Sequence, residues 1–221
     1  ALHVDMSGAD PAAFRASHGI AGEAPLLLVL PGSRRSEIHL MTPVYEAAVA
    51  RLKKTNPGLE VAVVAAGPVA DLVTAEVASW PFRAHLVPET EKYSAMKAAT
   101  VALATSGTVS TELALAGAPM VIAYRFQPLS YAIMKPFFTG KYATLFNHAA
   151  DAEIARELIQ AEATPEKLAE EVGRLLANPD ARADQAARQT AALDLMGREG
   201  GDPSQVAADA VLRVIAAKAG G

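Results

Sequence analysis

Two short stretches hold the side chains best suited to chemistry. The first is Pro31-Gly32-Ser33-Arg34-Arg35. A glycine turn followed by two arginines offers backbone N–H groups, a hydroxyl and two forked guanidinium groups. That donor set suits a phosphate or diphosphate. The second is Ser106-Gly107-Thr108, with Glu112 four residues further on. Its hydroxyls can donate to phosphate, and Gly107 permits close backbone approach. Glu112 falls about one helical turn later, where a carboxylate can accept from two vicinal hydroxyls such as those of a ribose. Each stretch has a plain alternative. The first is then an ordinary βα turn with solvated arginines, the second an N-cap with a solvated glutamate. Together they outline a site for diphosphate plus ribose.

These residues need elements to hold them. Residues 26–30 form an unbroken apolar run, as expected of a strand buried on both faces. A helix follows from Arg35 to about Lys54, with Leu40, Val44, Ala47, Ala48 and Leu52 recurring at three and four. Further strands are expected at 59–65, 85–87, 101–105 and 120–124. Helices are expected from Gly67-Pro68 to about Ser79, at 91–98 and at 109–116. Asp10 and Pro11 cap a short helix that reaches about His18. The remainder reads as helix at about 128–138, 152–160, 164–177, 179–194 and 203–218. Apolar strands alternating with helices predict an α/β fold. It is a Rossmann-like, doubly wound parallel sheet with a helical C-terminal portion. Ligands bind such sheets beyond the C-terminal strand ends, so both turns fall on one edge. Residues 1–25 read as a lead-in, 26–200 as the domain, and 201–221 as a last helix set apart by Gly200, Gly201 and Pro203. The start at Ala1, without methionine or a signal-like segment, is read as continuing from an upstream portion.

Composition and missing motifs narrow the chemistry. There is no cysteine, which excludes disulfides and thiolate catalysis within these residues. A net charge of −4 with interspersed signs does not fit a nucleic-acid binder. No apolar run approaches the roughly 18–20 residues of a membrane span. Neither GxxxxGK[ST] nor, after the first strand, GxGxxG occurs, so a P-loop and a dinucleotide fingerprint are not expected. The five histidines are scattered and no Asp-x-Asp occurs, so neither metal nor cofactor is expected. Ser106 lacks the GxSxG context of a hydrolase nucleophile.

One further patch stands out in an alanine-rich chain. Residues 128–138 bring Tyr131, Met134, Phe137 and Phe138 together, with Lys135 inside and Lys141 just after. This is either a core-facing amphipathic helix or a lipid-facing surface with basic residues near anionic head groups. Ile38, Leu40 and Met41 would extend that surface.

The ordered series of motifs resembles the lipid-A-disaccharide synthase family. Leu30-Pro31-Gly32-Ser33-Arg34 with Glu37-Ile38 resembles its LPGSR-xx-E segment. Ser106-Gly107-Thr108 with Glu112, then Pro119-Met120-Val121 and Tyr124-Arg125, resembles its SGT-xxx-E, P-M-V and Y-R series. Tyr142, Leu145 and Asn147 resemble Y-xx-L-x-N, and Glu157-Leu158-Ile159-Gln160 resembles the E-L-hydrophobic-Q motif. The resemblance implies one half of an inverting GT-B glycosyltransferase. Such an enzyme moves 2,3-diacylglucosamine from UDP-2,3-diacylglucosamine to 2,3-diacylglucosamine 1-phosphate. It implies that Gly32, Ser33 and Arg34 meet the diphosphate, with Arg34 stabilising the leaving group. Ser106, Gly107, Thr108 and Glu112 would meet phosphate and ribose, and Asn147 and Gln160 would line the same cleft. It implies a cytoplasmic enzyme peripheral to the inner membrane of a Gram-negative bacterium. The acceptor contacts and general base would come from an N-terminal domain outside this chain. Phe146 departs from the family's proline, and Asp151-Ala152 stands where a Gly-Arg pair is usual. Another UDP-sugar enzyme of the same fold, such as an N-acetylglucosaminyl transferase or a UDP-N-acetylglucosamine 2-epimerase, is an alternative. So is a non-catalytic nucleotide-binding module.

Overall fold

The computed structural model describes residues 4–65, 67–105, 107–127 and 141–197. Ser106, the 128–138 patch with Tyr131, Met134, Phe137 and Phe138, and the last helix at 203–218 lie outside the described residues.

Six strands form one fully parallel sheet. They are β1 (Leu26–Leu30), β2 (Glu60–Val64), β3 (His85–Val87), β4 (Val101–Thr105), β5 (Met120–Tyr124) and β6 (Arg156–Ile159), in the order β3-β2-β1-β4-β5-β6. This is the doubly wound order, with its switch point between β1 and β4. Strand β1 shows why its run is continuously apolar. Leu27 and Val29 pack into the core on one face, and Leu26, Leu28 and Leu30 into the core on the other. The helices are α1 (Pro11–Ser17), α2 (Arg35–Thr55), α3 (Ala70–Ala78), α4 (Lys92–Ala98), α5 (Thr108–Leu115), α6 (Leu145–Ala149), α7 (Pro165–Ala177) and α8 (Pro179–Leu195).

The five expected strands are present, and on α2 Val44, Ala48 and Leu52 are buried as the spacing predicts, whereas Leu40 is half-buried and Ala47 exposed. Two other parts of the chain differ from expectation. Residues 152–159 are not helical: β6 occupies 156–159 and pairs with β5, and Gln160 opens a single 3-10 turn. Ile154, Ala155, Leu158 and Ile159 recur at helical spacing, but Glu157 accepts from the Ala143 and Thr144 N–H groups. It fastens the preceding segment to the edge strand. The lead-in is also part of this domain's core. Asp10 caps α1 through the Ala12 and Ala13 N–H groups, and Phe14 and Ile20 are buried beneath the sheet. Arg15 then donates to the carbonyls of Ala24 and Ala98, tying α1 to the end of α4.

A buried contact joins the two site-bearing segments. The Tyr45 hydroxyl of α2 lies 3.0 Å from the Thr105 hydroxyl at the end of β4. Burial pushes the Tyr45 phenol well up, so it stays protonated and able to donate. Helix α2 is thereby registered against the strand that leads into Gly107. No helix among the described residues is long and apolar enough to cross a membrane.

Candidate functional site

A cleft of about 500 Å³ opens at the switch point, beyond the ends of β1 and β4. Gly32, Ser33 and Arg34 form one wall, and Gly107, Thr108 and Glu112 form the facing wall. Val64, Gly67 and Pro68 close it after β2, and Glu89 and Lys92 after β3. Six of the residues singled out from sequence therefore meet in one place. The size suits a ligand of nucleotide dimensions.

The arginine turn is built around a carboxylate. Glu37 is 4% exposed. Its Oε2 accepts from the Ser33 N–H at 2.9 Å and the Arg34 N–H at 3.2 Å. Its Oε1 accepts from Arg34 Nη1 at 2.7 Å and from the Tyr124 hydroxyl at 3.2 Å. This corrects the simplest picture of the turn, in which these N–H groups face the ligand. Glu37 is the third residue of α2, where a glutamate reaches back to the N-cap. What remains for an anion is the outer part of the Arg34 guanidinium, whose side chain is 74% exposed, and the first-turn N–H groups of Arg35 and Ser36. The hydrogen bond and charge of Glu37 raise the Arg34 pKa further and hold the group in place. Burial, and then Glu37, push the Tyr124 phenol up, so it too remains a donor.

On the facing wall, Gly107 precedes α5 and the Ser110 hydroxyl donates to the Gly107 carbonyl at 2.7 Å, tightening the turn. Thr108 opens α5 at the cleft. Glu112 forms an ion pair with Lys92 at 3.2 Å, and Lys92 also meets Glu89 at 3.0 Å. Burial works against the Lys92 charge, but hydrogen bonds and attraction from Glu89 and Glu112 outweigh it and raise its pKa.

Other expected site residues stand elsewhere. Asn147 is fully buried and does not line the cleft. Its Nδ2 donates to the Ala155 carbonyl and to Glu157 Oε1, both at 2.8 Å. Its Oδ1 accepts from the Ile154 and Ala155 N–H groups. All its hydrogen-bonding capacity is spent inside the protein, so the expected nucleotide contact is replaced by a structural one. Gln160 stands at the end of β6 with φ 55° and accepts the Phe126 N–H, also outside the cleft. Met41 is not lipid-facing. Ile38, Met41 and Tyr45 lie on the helical stripe that packs on the sheet, and Met41 is wholly buried. Leu40 is half-buried. The two family departures have local reasons: Phe146 fills the core under the sheet, and Asp151 sits at φ 45°, where glycine is otherwise favoured.

Sequence reasoning missed Lys92, Glu89 and the structural part of Glu37 and Tyr124. Glu37 carried a signal, since an acid three residues past an N-cap is a capping-box position. Lys92 carried none, because only the sheet order brings α4 next to α5. Among the described residues no three acidic or histidine side chains cluster as metal ligands.

Residues 6–211 match the family described as lipid-A-disaccharide synthetase. The lipid-A-disaccharide synthase of Rhodospirillum centenum is 44% identical over 213 residues, covering 95% of this chain and 53% of that protein. The chain spans about half the length of the curated relatives it matches. Among solved structures, the calicheamicin glycosyltransferase CalG4 aligns with a TM-score of 0.55 at 19% identity, over 87% of this chain and 44% of that one. WaaG, a glycosyltransferase involved in lipopolysaccharide biosynthesis, aligns with a TM-score of 0.52 at 19% identity, over 82% and 46%. At these identities the structures show the fold alone: a Rossmann-like half of the GT-B kind.

Proposed function

Because the chain belongs to the lipid-A-disaccharide synthetase family, we propose that it is the donor-binding half of an inverting glycosyltransferase. The enzyme transfers 2,3-diacylglucosamine from UDP-2,3-diacylglucosamine to 2,3-diacylglucosamine 1-phosphate. The observation that carries this reading is the convergence of the Gly32–Arg34 turn and the Gly107–Glu112 segment on one cleft at the switch point. Arg34 and the first turn of α2 take the diphosphate. Gly107 and Thr108 take phosphate at the opposite wall, and Glu112 accepts from the ribose hydroxyls.

In the reaction, the acceptor 6-hydroxyl attacks the anomeric carbon as the bond to the β-phosphate oxygen breaks. UDP leaves with the electron pair, and the hydroxyl proton passes to a general base supplied from outside these 221 residues. Charge grows on the β-phosphate during the step. Arg34, already fixed by Glu37, and the helix N–H groups stabilise that charge without rearranging. Both substrates carry acyl chains, so we place the working enzyme at the cytoplasmic face of the inner membrane. The aromatic and basic composition of 128–138 supports a surface attachment there. The rival UDP-sugar enzymes are not favoured, since the curated relatives carry the lipid-A name.

Two measurements test this reading. Calorimetry of this chain with UDP is expected to show one-to-one binding, and no heat at millimolar UDP would remove the donor-site assignment. In the full-length enzyme, Arg34→Ala is expected to lower kcat on the order of a hundredfold, as for loss of one charge-stabilising donor. Its Tm should stay near the wild-type value, because the Arg34 side chain is mostly exposed. A normal kcat at normal stability would take Arg34 out of the mechanism.

A further inference from the structure

We infer that Lys92 is a positioning residue that sets the carboxylate of Glu112 for a ribose diol and so makes the site selective for ribonucleotides. The inference rests on the reading of Glu112 as the ribose acceptor. Lys92 belongs to neither motif; it opens α4, after β3. Its side chain is 14% exposed and that of Glu112 is 17% exposed, yet both line the cleft. Lys92 Nζ lies 3.2 Å from Oε2 of Glu112 and is itself steadied by Glu89 Oε1 at 3.0 Å. Apart from Lys92, no described residue pairs with the Glu112 carboxylate, which leaves hydrogen-bonding capacity for a ligand in the cleft.

Three consequences follow from that geometry. A glutamate has several rotatable bonds, and a free one loses that freedom when it grips two hydroxyls. Held beforehand by Lys92, Glu112 loses less. An ion pair through one oxygen also fixes the plane of the carboxylate, so its remaining lone pairs keep one direction for the diol. The diphosphate of the same ligand brings negative charge toward Glu112, and Lys92 offsets that repulsion. A second hydroxyl is worth recognising only if the acceptor is aimed and charged, so Lys92 acts on diol recognition through Glu112.

The test compares UDP with 2′-deoxy-UDP, by calorimetry on the full-length enzyme. The wild type is expected to prefer UDP by about tenfold or more, the loss expected when one hydrogen bond to a charged acceptor is removed. Lys92→Met keeps the length and apolar stem of the side chain, and should shrink that preference to about threefold or less. Lys92→Gln should do the same, and Lys92→Arg should retain most of the preference. If Lys92 instead touches the diphosphate directly, Lys92→Met weakens both ligands equally and the ratio is unchanged. That result overturns the inference and leaves the ribose reading standing. Glu112→Gln separates the two. If it keeps the wild-type ratio, or if the wild type shows no preference, Glu112 is not the ribose acceptor and the inference falls with that reading.

Discussion

Gly32→Ala is expected to abolish UDP binding and to destabilise the domain by about 4–7 kcal/mol. Gly32 adopts φ 120°, a backbone conformation costing about 1–2 kcal/mol for an alanine. The larger part is steric. A methyl group there would stand 2.6 Å from Glu37 Oε2 and 2.7 Å from Glu37 Cβ. Glu37 cannot swing away cheaply, because its oxygens hold the Ser33 and Arg34 N–H groups, the Arg34 guanidinium and the Tyr124 hydroxyl. Driving a buried carboxylate from its donors costs about 3–5 kcal/mol more. The same displacement releases Arg34, so the anion site is lost with the turn. Gly19→Ala is the control: φ is 66° there, but nothing lies within 4 Å of the added methyl. Urea denaturation of both variants separates strain from clash. Equal losses would mean that Glu37 does not enforce the glycine.

That turn also shows what a sequence reveals and what it conceals. Its glycine and arginines were legible because they are contiguous and chemically specialised. The sheet was legible for a related reason: strands covered on both faces are apolar without interruption, as at Leu26–Leu30 and Val101–Thr105. β6 escaped because it is a short edge strand with half-exposed Arg156 and Glu157. Such a strand has the look of the amphipathic helices around it. Met41 was misplaced for a different reason. Ile38, Leu40 and Met41 form one apolar cluster in the sequence, but helical phase sends Ile38 and Met41 inward and leaves Leu40 half-buried. Lys92 stands for a third kind of loss. It reaches Glu112 across two crossovers, so no local pattern contains the pair. Motif letters also say that a residue matters without saying how. Glu37 and Asn147 both sit in family motifs, and both are buried polar anchors.

Asn147→Ala should therefore act on stability and not on ligand affinity. We expect a loss of about 3–5 kcal/mol in urea denaturation, with UDP affinity of the folded fraction within about twofold of wild type. Truncation strands the Ala155 N–H and carbonyl, which this one amide satisfies, and leaves the Ile154 N–H only the Ala152 carbonyl at 3.0 Å. Each buried group left unpaired costs about 1–3 kcal/mol, and the shape of the site allows only partial repair by water. Glu157 loses a donor as well, although the Thr144 hydroxyl and N–H still reach it. The segment carrying α6 would then loosen from β6, and none of its residues lines the cleft. Asn147→Asp sharpens the distinction. It preserves shape and the acceptor for Ile154 and Ala155, but sets a second carboxylate against Glu157, where the amide donated at 2.8 Å. Mutual repulsion raises the pKa of that pair in the folded state, so the destabilisation should be greatest above the shifted pKa. It should shrink as pH falls through that value and one carboxyl takes a proton and donates. A ligand-contacting asparagine predicts the opposite pattern in both variants: a normal midpoint in urea and a weakened UDP isotherm.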